Sequence, residues 1–441
     1  MISAVWCAAE GRLALCVHHL SIDAVSWRIL LEDMNIAWAQ RRAHEPIVLP
    51  TPGTSFKRWA ASLTDYAHSD EVRAHAEKWG RVATVPPALP HIDPARDTYA
   101  TAGRSSAELD SATTRYLLDQ VTAAFHVGVQ DICLIAFALA WTHHFGTHDP
   151  VGIDVETHGR DEDLFTDADL SRTVGWFTSK HSVALGVDGT TWEQICSGAA
   201  GLGAVVKAAK EDIRALPPSI TYGLLRHLAG DLGLASGDPA IGFSYFGRLT
   251  AEGSELAGEL WHISDTGAPI SSAAAAVDMP LFHGLELNAG TVDVGDGPHL
   301  RGDFIWAPTL LDHDDVAGLG RSWLEALRGI CEHVRTGGGG LTPSDIAPVR
   351  LTQRDIDKLT GTYPLADIWP LSPMQRGLLF HAAAAPGHFD DLYAMQLAVT
   401  VTGPLDAARL HSAVQAVVRR HPHLAARFCA GSVSYTHLRA H

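Results

Sequence analysis

Two short segments concentrate side chains able to move a proton. The first is His18-His19-Leu20-Ser21-Ile22-Asp23-Ala24-Val25-Ser26-Trp27. Read as the end of a strand, its adjacent histidines point to opposite faces, so they do not easily chelate one metal. One can face a cavity while the other packs or hydrogen-bonds inside, and imidazole suits proton transfer near neutral pH. The second is Glu156-Thr157-His158-Gly159-Arg160-Asp161. A carboxylate at a strand end can serve as a base, and as an acid only where burial raises its pKa. Three further runs stand out: Arg172-Thr173-Val174-Gly175-Trp176-Phe177-Thr178, Tyr222-Gly223-Leu224-Leu225-Arg226 and Phe243-Ser244-Tyr245-Phe246-Gly247. Any one alone reads as core aromatics, a turn or a solvated carboxylate.

The elements that must hold these segments are legible by period. Val5 to Ala9, a turn at Glu10-Gly11, and Arg12 to His19 read as a hairpin, with Leu13, Leu15 and Val17 on one face. Trp27, Leu30, Leu31, Met34 and Trp38 fall at helical spacing, with Ser26 or Asp23 as the cap. Helices are expected from Ser111 toward Phe125, from Asp131 to His144, from Leu310 to Val334 and from Ala407 to His421. Val151, Ile153 and Val155 alternate with Gly152, Asp154 and Glu156 as a strand ending at a turn. Mixed strands and helices indicate an α/β architecture. Thr336, four glycines from Gly337 to Gly340, and Thr342-Pro343-Ser344 read as a linker. The expected organisation is residues 1–335 as one domain, 336–362 as linker, 363–431 as the start of a second domain, and 432–441 as a tail.

Composition narrows the class. The net charge of −17 and the lack of a basic stripe exclude a nucleic-acid backbone as partner. The six cysteines are scattered singly, without a C-x-x-C pair for a zinc ribbon or redox dithiol. No apolar run approaches the ~20 residues of a membrane span and no signal sequence opens the chain, so no membrane association and a cytoplasmic location are expected.

H-H-x-x-x-D, here His18, His19 and Asp23, is the signature of the condensation superfamily of nonribosomal peptide synthetases, relatives of chloramphenicol acetyltransferase. The continuation to Ser26-Trp27, the Glu156-x-His-Gly-Arg run, Arg172 to Thr178, Tyr222 to Arg226 and Phe243 to Gly247 resemble the epimerization branch. Thr157, Asp161 and Ser244 depart from that branch's usual Gly, Glu and Asn, and Ala24 replaces the Gly of condensation domains. The resemblance covers roughly residues 1 to 350. Tyr363-Pro364-Leu365, Pro370 to His381, Gly403 to Asp406 and Arg420 to Leu424 resemble the opening of a condensation domain, without a second H-H-x-x-x-D.

That resemblance implies a two-lobed, acetyltransferase-like α/β fold whose N-terminal lobe is incomplete, because the family carries a substantial segment before its histidines. It implies L-to-D epimerization at Cα of an aminoacyl or peptidyl thioester. His19 and Glu156 would be the catalytic pair, facing a shared channel. His18, Asp23, Arg160 and Tyr245 would support them, with Asp23 paired to an arginine, and Trp27, Trp176 and Ser244 would line the channel. No cofactor or metal would bind directly, because the phosphopantetheine arm belongs to an upstream peptidyl carrier protein, and a condensation domain would follow. The alternatives are a condensation domain forming peptide bonds and an inactive fragment of a synthetase. With its N-terminal lobe short, the chain alone is expected to expose apolar surface and to be poorly soluble and inactive.

Overall fold

The structure is a computed structural model, in which residues 1–9, 11–229, 238–249, 278–347, 349–363, 365–384, 395–429 and 436–440 are described. The chain divides into two compact units, Met1–Gly339 and Gly340–His441.

The first unit opens with an antiparallel hairpin of β1 (Ile2–Cys7) and β2 (Arg12–Val17), followed by helix α1 (Ala24–Arg42). Short helices α2 (Phe56–Ala67), α3 (Asp70–Ala74) and α4 (Ala76–Ala83) follow, then β3 (Gly103–Leu109). α5 (Ser111–Tyr116) runs through a π-helical turn into α6 (Thr122–Phe125), and α7 (Val129–Phe145) leads to β4 (Val151–Thr157) and β5 (Ser179–Leu185). Next come α8 (Trp192–Cys196), α9 (Ala200–Arg214), α10 (Ile220–His227), β6 (Ile241–Leu249), β7 (Leu285–Val294), β8 (Gly297–Trp306) and α11 (His313–Arg335).

Six strands form one mixed sheet in the order β3-β8-β7-β6-β4-β5. β4, β6 and β7 run parallel, and the other neighbours are antiparallel. The period of two gives the sheet an apolar and a polar face. Val151, Ile153 and Val155, with Ile241, Phe243, Leu285, Leu287 and Phe304, bury against α7, α9 and α11. α7 is apolar nearly all round and ten of its residues are buried, as a central helix requires. Gly302 on β8 lets Trp323 of α11 approach the sheet closely, because a Cβ there would stand 2.6 Å from the indole. That indole donates to the Cys133 carbonyl of α7 at 3.1 Å. A second cluster, with Trp59, Trp79, Phe177 and Tyr222, brings α2, α3, α4 and α10 together with the 165–177 loop.

The expected strand through His19 is shorter: β2 ends at Val17, and His18 caps a single 3-10 turn over His19–Ser21. The two histidines therefore do not alternate across a strand. Ile2, Val5, Trp6, Leu20 and Trp38 are exposed, as expected of the hairpin and α1. No single helix among the described residues is long and apolar enough to cross a membrane.

In the second unit, the expected linker is partly ordered structure. The boundary falls inside the glycine run, but a 3-10 turn at Pro343–Ile346 and helix α12 (Gln353–Thr362) follow at once. Both start on capping boxes, Thr342 with Asp345 and Thr352 with Asp355. Leu341, Ile346, Leu351, Ile356 and Ile368 give them an apolar cluster of their own. Three strands, β9 (Leu365–Pro370), β10 (Ala426–Cys429) and β11 (Thr436–Ala440), pair in the order β10-β11-β9, and α13 (Pro373–Ala384) and α14 (Ala407–Arg420) lie between β9 and β10 in the chain. The expected tail thus supplies β11, while residues 432–435 and 441 lie outside the described residues.

Candidate active site

Asp23 is the N-cap of α1, its Oδ1 accepting from the Ser26 amide at 2.7 Å. Between the sequence alternatives for that cap, the carboxylate takes the role. Its other oxygen accepts from the Phe177 amide at 3.1 Å. The remaining capacity of the carboxylate is met by Arg160, whose Nη2 stands 3.2 Å from Oδ1 and 3.3 Å from Oδ2. The arginine side chain is 8% exposed and the aspartate side chain 4% exposed, so the ion pair is out of water. A pair buried to that degree needs its other hydrogen bonds met, and all but the buried Nε of Arg160 find a partner. Nη1 of Arg160 donates to the carbonyls of Leu170 and Thr173, at 2.7 and 2.8 Å, and Nη2 also donates to the Ser26 hydroxyl at 3.0 Å. The guanidinium lies 4.1 Å from the centre of the Phe177 ring, a cation–π contact.

Ser26 ties the same elements together a second time. Its hydroxyl donates to the Gly175 carbonyl at 3.0 Å and accepts from the Gly175 amide at 3.1 Å. The Arg172–Thr178 run is therefore a strap laid over the start of α1. Arg172 anchors it further by ion pairs with Glu32 and Asp33 of that helix. Gly159 makes the turn possible: its φ is +62°, and a Cβ would stand 1.8 Å from the Phe177 carbonyl oxygen.

Each of the two proton-transfer candidates stands close in sequence to one member of this pair. His19 precedes Asp23 by four residues and Glu156 precedes Arg160 by four. His18 and His19 are exposed; His18 Nδ1 accepts from the Leu20 amide at 3.2 Å, which orients its ring. His19 lies against the Trp176 indole, ring centres 4.9 Å apart, and Trp176 is itself 41% exposed. Trp27 is half-buried on α1. Glu156 is exposed at the end of β4, and Ser244 of β6, its register partner, donates a hydroxyl to Oε2 at 3.1 Å. Burial, the condition for an acid role, is not met at Glu156 in this state.

Tyr245 is not brought to Glu156. As the neighbour of Ser244 on β6 it points to the opposite face, packs against the main core, and meets Thr291 at 3.3 Å through its hydroxyl. Burial pushes its phenol up to about 12.

The polar face of the sheet holds a network to which the sequence motifs contribute only the Tyr222-to-Arg226 run. Asp154, 1% exposed, accepts from the Ser182 hydroxyl at 2.7 Å and the Lys180 ammonium at 2.7 Å, and meets His283 Nε2 at 3.3 Å. Lys180 also reaches Asp238 at 2.9 Å, and Arg226 pairs with the same carboxylate. The other nitrogen of His283 is 3.3 Å from Glu286, which in turn holds the Tyr99 phenol. Burial works against a charged His283, yet its contacts with Asp154 and Glu286 raise it to about 9. Burial beside Trp79 lowers His181 to about 4, against the opposing pull of Asp154. The signals in the sequence were the carboxylate Asp154 inside the apolar alternation of β4 and the Tyr222-to-Arg226 run.

A family model described as "Condensation domain" matches residues 6–236 and 365–435. One polypeptide of the linear gramicidin synthase of Brevibacillus parabrevis is 34% identical over 97% of the chain, and a chondramide synthase of Chondromyces crocatus is 32% identical over 95%. The chain spans only 5% and 11% of the lengths of these two relatives. Among solved structures, the epimerization domain from the third module of tyrocidine synthetase B is 31% identical, with a TM-score of 0.63 over 74% of this chain and 70% of that one. A condensation domain for chain release from the enacyloxin polyketide synthase, 18% identical with a TM-score of 0.50 over 75% of this chain and 60% of that one, shares the fold.

Proposed function

This chain belongs to the condensation-domain family, and within it we propose that the first unit inverts the Cα centre of an aminoacyl or peptidyl thioester. The observation that carries this reading is the buried Asp23–Arg160 pair, which ties the segment that follows His19 to the turn that follows Glu156 at the end of β4. Inversion needs a group that removes the Cα proton and a second that delivers one to the other face. An imidazole and a carboxylate supplied from two different motifs meet that need. The likeness to a solved epimerization domain, and the Glu156-to-Arg160 and Arg172-to-Thr178 runs, favour epimerization over condensation.

The thioester acidifies the adjacent Cα–H only modestly, so a placed base must act while the developing enolate oxygen is stabilised. One of His19 and Glu156 takes the proton, the electron pair moves onto the thioester carbonyl, and the other returns a proton from the opposite side. Both groups are exposed here, so the substrate and its arm supply the burial that raises a carboxylate's pKa. The phosphopantetheine arm is part of the substrate and comes with a peptidyl carrier protein, and the chemistry requires no metal or redox cofactor. The second unit, matched in part by the same family model, reads as the start of a condensation domain accepting the D-configured product, in a cytoplasmic synthetase.

Chiral analysis of the amino acid released from a loaded carrier tests the assignment. Mixed L and D product, lost in His19→Ala and Glu156→Gln, supports it. A new peptide bond without any D product would assign condensation instead.

A further inference from the structure

Glu156 has a lysine directly across the ladder that does not pair with it. Register places Glu156 of β4 opposite Lys180 of β5, so both side chains leave the same face of the sheet. The ammonium instead lies 2.7 Å from Asp154 and 2.9 Å from Asp238, while Glu156 keeps the Ser244 hydroxyl. Each anchor is itself secured. Asp154 is buried and held by Ser182 and His283, and Asp238 is held by Arg226. Among the described residues, the other ionisable groups set near Glu156 include Glu286, with His283 against it, and Tyr99, with Arg104 beside it. Burial disfavours a charged Lys180, and the two aspartates more than offset it, so the lysine stays a cation.

A cation turned onto a carboxylate lowers that carboxylate's pKa by about 1–3 units and occupies the oxygens that would meet a substrate proton. We propose that Asp154 and Asp238 are positioning residues of the proton-transfer site: they hold the Lys180 ammonium away from Glu156 and so leave Glu156 free to exchange a proton. The inference rests on the reading of Glu156 as an acid–base group.

The test uses Asp238→Asn, at a side chain 38% exposed and therefore tolerant of change, and the same substitution combined with Lys180→Met. Crystal structures give the position of Nζ, and Cα–H exchange on a loaded carrier gives the pH profile. In Asp238→Asn, Nζ should move within hydrogen-bond distance of Glu156 and the acidic limb should fall by about one pH unit. In the double variant the limb should stay where Lys180→Met alone puts it. Asp154→Asn should act in the same direction and more strongly. An ammonium that remains away from Glu156 in both aspartate variants overturns the proposal. So does a shift of equal size with and without the lysine, since that would be simple loss of a nearby negative charge. If the parent protein exchanges no Cα hydrogen, the functional reading fails, while the position of Nζ still decides the positioning claim.

Discussion

Arg160 reaches Asp23 across 137 residues of sequence and meets both of its carboxylate oxygens in a buried pair. The contact joins the cap of α1 to the loop after β4, and the Phe177 amide and Ser26 hydroxyl close it against the strap. Neither residue is exposed enough to touch a substrate freely. Their effect passes through the segments next to His19 and Glu156.

Removing one partner strands the other charge in a dry environment. Asp23→Ala and Arg160→Ala should each cost about 3–5 kcal/mol, and the double variant should cost clearly less than their sum. Urea unfolding of the four proteins measures this. Arg160→Lys should not rescue, because an ammonium cannot reach Asp23, Ser26 and the carbonyls of Leu170 and Thr173 in one plane. Additive losses would mean that the pair is not coupled.

Gly159→Ala should destabilise the same region by at least about 2 kcal/mol, since the position combines a positive φ with a clash on the Phe177 carbonyl. Thermal unfolding reads the cost. Gly223→Ala, where a Cβ meets nothing within 4 Å, should be nearly neutral and serves as the control.

Two buried histidines should bound stability from opposite sides. His283 is raised to about 9 from 6.5, so its contribution is complete below pH 6.5 and is lost as pH rises through 9. His181 is lowered to about 4, so the folded state excludes its proton, and stability is lost as pH falls from 6.5 toward 4. Melting temperature against pH should peak near 6.5, the ordinary value from which both groups are displaced. His283→Gln should flatten the alkaline side and His181→Asn the acidic side. An unchanged profile in both variants would contradict the network.

Much of this was legible in the sequence because it is local. The cap at Asp23, the amphipathic α11 and the alternation in β4 all follow from period and side-chain chemistry within one segment. The pairing of Asp23 with an arginine was legible only through the family resemblance of the H-H-x-x-x-D run. What was not legible depends on register and topology. Nothing in the sequence says that β4 lies between β5 and β6, so the Glu156–Ser244 contact and the Lys180–Asp154–His283 network were hidden. Tyr245 follows the same logic: the motif names it, but a period of two turns it to the core. The linker reading missed α12 because glycines and a proline mask two capping boxes and five apolar positions spread over 28 residues from Leu341 to Ile368.

Single substitutions at the proton-transfer pair should separate chemistry from folding. His19→Ala and Glu156→Gln should each reduce exchange by ~10²–10⁴-fold. Because both side chains are exposed, neither should shift the unfolding midpoint appreciably. A variant that keeps full exchange removes that residue from the mechanism.

The most direct measurement is hydrogen exchange at Cα. A carrier loaded with an L-aminoacyl or peptidyl thioester is incubated in heavy water with the chain in its full-length polypeptide, and the released product is read by mass and by chirality. One deuteron should enter at Cα together with inversion, and both should vanish in His19→Ala. Retained hydrogen and L-configuration, under conditions where the carrier is fully loaded, would contradict the account.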